Sequence, residues 1–105
     1  MTNKSDPKVT VEKLGSRGGK FSMGNLYATP GVLGAVASDE LLACLGRHAR
    51  GDWGDCGTED WQANEHALVD GSRIFSVYKL ASGVKLWIIT EADRASTTAL
   101  LPEEY

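Results

Sequence analysis

The chain has 105 residues, 42% of them hydrophobic and 24% charged, and carries a formal net charge of −3. That is the size of one domain with a single core, and the balance of apolar and charged residues excludes a chain disordered along most of its length. The apolar runs are too short to cross a bilayer as a helix, and the polar N-terminus lacks the hydrophobic segment of a signal peptide, so a cytoplasmic location is expected.

The charge is unevenly placed. Residues 1–20 hold five basic and two acidic side chains, which leaves six basic against twelve acidic in the remainder. An acidic body without a basic stripe argues against direct binding of duplex DNA. Cys44 and Cys56 are the only cysteines and form no short CxxC spacing, which fits reduced thiols.

Taken in order, residues 1–20 end in a Gly-Ser-Arg-Gly-Gly hinge and show little apolar periodicity, so they are expected to form a flexible tail ahead of one domain over 21–105. Phe21 to Ala28 alternates loosely as a first strand. Thr29 before Pro30 has the form of an N-cap followed by proline at the first helical position, predicting a short helix over Pro30 to Ala37. Ser38 is expected to cap a second helix, with Asp39 and Glu40 in its first turn and Leu41, Leu42, Leu45 and Ala49 as its buried stripe. Arg47, His48 and Arg50 lie in or just after its last turn, where the helix dipole favours cations, and Gly51 stops it.

After the GDWGDCG loop, Thr58 is expected to cap a third helix ending at Gly71, with Trp61, Asn64, Ala67 and Leu68 along one side. From Arg73 the period becomes two. Ile74 to Lys79, Val84 to Thr90 and Thr97 to Leu101 read as three strands of a meander. Leu86 and Ile88 point one way and Trp87 and Ile89 the other, so the middle strand is apolar on both faces and should be central. The expected fold is α+β: a three- to four-stranded antiparallel sheet with a helical hairpin packed on one face.

Three clusters carry candidate chemistry. His48 and Asp52, with Glu91 or Asp93, supply a general base and carboxylates for a small hydrolase or transferase. The plainer reading makes His48 a helix-end cation and the aspartates turn residues. Cys44, His48, Cys56 and His66 have zinc-ligand atoms, and Cys44 and His48 are four apart on a helix, but the remaining spacings match no ligand knuckle; no metal or other cofactor is expected. The TEADR turn sets Glu91, Asp93 and Arg94 beside a strand, either to grip a ligand or, more economically, to lock the turn. No nucleophile elbow surrounds Ser96, and GSRGGK at residues 15–20 lacks the pattern of a phosphate loop.

ATPGVL at 28–33, RHARGDWGD at 47–55, ED-WQAN at 59–64 and WIITEADRASTTALLPEEY at 87–105 together resemble a family of small uncharacterised bacterial proteins carried on plasmids, prophages and other mobile elements. The resemblance covers roughly residues 21–105 and implies no established activity. It suits a protein-binding module, with Asp52, Trp53, Asp55, Glu91, Asp93 and Arg94 as the expected binding surface. The acidic body fits a partner among nucleic-acid-handling defence complexes, which would make the chain an anti-CRISPR or anti-restriction inhibitor. A third reading is a homo-oligomeric accessory protein with Trp53, Trp61 or Trp87 in a self-interface. Burial of Trp53 decides whether GDWGD is a folding device or a binding hot spot.

Overall fold

A computed structural model describes residues 9–10 and 19–105. In chain order the elements are β1 (Val9–Thr10), β2 (Asn25–Ala28), α1 (Pro30–Ala35), α2 (Ser38–Ala49), α3 (Thr58–Asp70), β3 (Ile74–Lys79), β4 (Lys85–Thr90), β5 (Ser96–Leu100) and a closing 3-10 turn, Pro102–Glu104. They make an α+β domain built on one sheet in the order β1-β2-β5-β4-β3. The tail expected over residues 1–20 lies outside the described residues, apart from Gly19, Lys20 and β1, which pairs antiparallel with β2.

The meander is present, and β4 lies between β3 and β5 with both pairings antiparallel. β2 differs from the antiparallel expectation: it lies parallel to β5, with Leu26 opposite Thr97 and Ala28 opposite Ala99, so the sheet is mixed. Parallel neighbours need a long crossover, and the helices between β2 and β3 supply it.

The alternation of side chains sends Tyr78, Leu86, Ile88 and Ala99 to one face, where they pack with Val32 of α1 and Leu41 and Leu45 of α2. Ile74 extends this core toward Trp53 and Ala67 of α3, and Leu26 toward Met23 and Ala49. The buried apolar side chains of all three helices therefore collect on a single face of the sheet.

Along α2 the buried residues are Leu41, Cys44, Leu45, His48 and Ala49. These are positions i, i+3, i+4, i+7 and i+8, the stripe of an amphipathic helix. Leu42, expected in that stripe, is 37% exposed, and Cys44 and His48 complete it instead. Ser38 and Thr58 also differ from expectation. They are the first helical residues, the N-caps are Ala37 and Gly57, and neither cap residue makes a side-chain hydrogen bond. Thr29 does cap α1, accepting from the Val32 amide.

The C-terminus is tied to α1 through Glu104. Its carboxylate accepts from the Thr29 hydroxyl at 2.5 Å, the Gly31 amide at 3.0 Å and the Leu101 amide at 2.9 Å.

One glycine is decisive for the sheet edge. Gly54 has φ of 73°, and a Cβ there would collide with the Val77 carbonyl and the Tyr78 ring. Gly54→Ala should therefore lower the unfolding free energy by about 2–4 kcal/mol, read by urea titration, because a left-handed alanine is strained and β3 must also move away.

Candidate functional site

The GDWGD loop follows α2 and runs beside β3, the last strand of the sheet, where it forms an isolated parallel bridge between Gly54 and Val77. The Val77 amide donates to the Trp53 carbonyl at 3.2 Å and the Asp55 amide to the Val77 carbonyl at 2.6 Å. The Asp55 carboxylate accepts from the Lys79 amide at 2.8 Å. Asn64 of α3 closes the other half of the edge: its side-chain oxygen accepts from the Phe75 amide at 3.0 Å and its NH2 donates to the Phe75 carbonyl at 2.6 Å. The Cys56 thiol donates to the same carbonyl at 3.3 Å. An edge strand that would otherwise offer unpaired backbone groups is thereby sealed.

Trp53 is fully buried, with its indole N–H donating to Glu65 at 2.8 Å. This corrects the expectation of an exposed aromatic binding loop: the indole is the plug that holds the loop against β3 and α3. Asp52 is equally engaged. Arg47 grips it with two hydrogen bonds, at 2.8 and 3.2 Å, and the Gly54 amide donates to it at 3.1 Å. The Arg47 hydrogen bond holds the Asp52 carboxyl below its usual range. The Tyr78 hydroxyl donates to the Asp52 carbonyl at 2.7 Å, and the Arg47 guanidinium lies 4.7 Å from the centre of the Tyr78 ring.

His48 is not a solvated cation at a helix end. It is fully buried, with ring centroids 5.3 Å from Phe21 and 5.8 Å from Trp53. Nδ1 is 2.6 Å from the Ser76 hydroxyl and Nε2 is 2.9 Å from the Thr90 hydroxyl. Thr90 in turn meets Thr97 at 2.7 Å, and Thr97 donates to the Met23 carbonyl at 2.8 Å.

A carbonyl only accepts, so the direction of the whole chain is fixed from that end. Thr97 spends its proton on Met23, Thr90 donates to Thr97, and His48 must carry its proton on Nε2 to donate to Thr90. Nδ1 is left to accept from Ser76. Burial pushes the imidazole pKa down to about 3, with the Arg94 charge as a smaller cause. The result is a neutral imidazole with both nitrogens occupied and no water-facing edge. It makes no hydrogen bond with Asp52, Glu91 or Asp93, so the expected acid–base constellation does not assemble.

Glu91 and Asp93 are exposed. Asp93 accepts from the Ala95 amide at 2.9 Å, and Arg94, at φ of 59°, donates to the carbonyls of Ser72 at 2.7 Å and Ala67 at 2.9 Å. The TEADR turn is thus a lock between the meander and the end of α3. The potential zinc atoms also stay apart, and among the described residues no group of three or more His, Cys, Asp or Glu side chains is placed to hold a metal ion.

What the sequence reading missed is the second face of the sheet. The alternation that turns Tyr78 and Ile88 toward the helices turns Phe75, Val77, Trp87, Ile89, Thr98 and Leu100 the other way. Among the described residues, the core clusters join no helical side chain to this face. Its aromatic rings meet edge to face: Phe75 and Trp87 centroids are 5.0 Å apart, and Trp87 and Tyr105 are 5.6 Å apart. Arg73 lies 5.8 Å from the Tyr105 ring centre and donates to its hydroxyl at 3.1 Å. Ile89 and Leu100 are buried in this face, Phe75, Val77 and Trp87 are half-buried, and Tyr105 is 67% exposed.

No protein-family model, curated protein or solved structure matches the chain.

Two measurements check the roles assigned to Trp53 and His48. Trp53→Ala should cost about 3–5 kcal/mol of stability by urea unfolding, the loss typical of emptying a buried aromatic site. The unfolded chain protonates His48 near 6.5 and the folded chain only near 3. The unfolded state therefore binds the extra proton between those values, so stability is full above about pH 6.5 and falls as pH drops below it. From pH 7 to pH 5 this removes about 2 kcal/mol. A His48→Gln variant should lose this slope over the same interval, which lies above the titration range of the paired Asp52.

Proposed function

We propose that the chain is a non-enzymatic protein-binding module that docks through the helix-free face of its sheet. The observation that carries this reading is the contiguous row of Phe75, Trp87 and Tyr105 on the one sheet face to which the helices contribute no core side chain. Contiguous apolar surface rimmed by charge is characteristic of interaction sites, and tyrosine, tryptophan and arginine dominate binding energy when a partner covers them.

The candidate acid–base residues support the same reading from the other side. His48 is sealed between hydroxyls, Asp52 is held by Arg47, and Asp93 closes its own turn. Each of these side chains has a structural task that a reaction would disrupt. The resemblance to proteins of plasmids and prophages gives the proposal its specific form, an inhibitor of a CRISPR or restriction complex.

Site-specific photo-crosslinking in the cell of origin tests it. A benzophenone amino acid replacing Tyr105 should trap one discrete defence or DNA-processing protein. The same group replacing Val69, which is 90% exposed on α3, should not. Equal trapping from both positions, or trapping from position 69 alone, would move the docking surface to the helices and overturn the reading.

A further inference from the structure

The chemistry of the occupant of this face can be specified, on the premise of the docking role just proposed. Lys79 and Lys85 are directly opposite each other across β3 and β4, and both are exposed. Among the described residues neither ammonium has an ion-pair partner. Like charges in a directly opposed cross-strand pair repel, so the sheet carries an unfavourable contact that an anion bridging both would relieve. Arg73 lies six residues before Lys79 on the same side of the strand, about 20 Å away, with Phe75 and Val77 between them. None of the twelve acidic residues from Asp39 to Glu104 falls within β2, β3, β4 or β5. Cations mark the strands of this face, and carboxylates stand at its margin, where Asp55 accepts from the Lys79 amide and Glu103 lines a groove with Lys85.

We infer that the helix-free face takes an acidic polypeptide segment, whose carboxylates bridge Lys79 and Lys85 and reach Arg73 while an apolar side chain packs on the Phe75, Trp87 and Tyr105 row. Other occupants fit less well. A second copy would bring the same lysines against cations. The chain's own residues 1–20 carry five basic and two acidic side chains, the wrong sign. For a single-stranded nucleic acid the rings are poorly arranged. Interplanar angles of 88° and 66° direct ring edges at ring faces and leave no parallel platform for successive bases.

The test titrates short fluorescent peptides that interleave Asp and Glu with Leu, Phe and Trp against the full chain, by anisotropy. Their Asn and Gln counterparts and an oligothymidylate serve as competing probes. The acidic peptides should bind, more weakly as salt is raised. The Lys79→Gln/Lys85→Gln variant should bind them about tenfold more weakly while its melting temperature stays level or rises slightly as the repulsion is removed, and Lys79→Arg/Lys85→Arg should restore binding. Equal affinity for the amide peptides would overturn the acidic specificity and leave the docking role intact. Preference for oligothymidylate, or a dimer in sedimentation that Tyr105→Ala dissolves, would overturn it in favour of nucleic acid or a second copy. Absence of binding to every probe by the folded chain would also overturn it, and the crosslinking result at position 105 then decides whether the docking role survives.

Discussion

The structure depends on a single line of hydrogen bonds that runs from Ser76 through His48, Thr90 and Thr97 to the Met23 carbonyl. It joins α2 to β3, β4 and β5 and to the segment entering β2, so it pins the helical layer to every strand of the meander. Each member is fully satisfied, which is the condition under which a buried polar network gives a unique packing rather than a penalty. An apolar residue at position 48 would leave the Ser76 and Thr90 hydroxyls searching for partners in a dry interior. The imidazole is therefore a crosslink, and its neutrality follows from where it is placed.

Around that line the protein closes the β3 edge of its sheet. β3 has β4 on one side only, and the groups it presents on the other are taken up by the GDWGD loop and by Asn64. Trp53 holds the loop in place from inside, Asp55 reaches the Lys79 amide, and Gly54 permits the close approach of the two backbones. The motif that looks most functional in the sequence is thus spent on closing the sheet. Arg94 does comparable work for the meander by donating to carbonyls at the end of α3.

With the helices and the loop committed to one face and one edge, the opposite face is the docking surface we propose. Its aromatic row is flanked by Arg73 at one end and by the opposed Lys79 and Lys85 at the other. A chain with an acidic total charge thereby carries a cluster of cations on one sheet face, a separation that would orient the proposed partner.

The sequence by itself determined the local elements, because their signals are local. Period two fixed the meander and the centrality of β4, and glycines marked the ends of α2 and α3. Helical spacing even contained the inward stripe of α2; residue type put the exposed Leu42 in it and left out Cys44 and His48, since type cannot report whether a polar side chain will find partners. Only the tertiary structure decided the rest. The parallel pairing of β2 with β5, the hydroxyls that meet His48 from 28 and 42 residues away, and the sealing of β3 by a loop are contacts between distant parts of the chain. The alternation of Arg73, Phe75, Val77 and Lys79 is plain in the sequence, but strand periodicity defines two faces without saying which one the helices will cover. Packing made that choice, and with it the assignment of Trp53 to the core and Trp87 to the opposite face of the sheet.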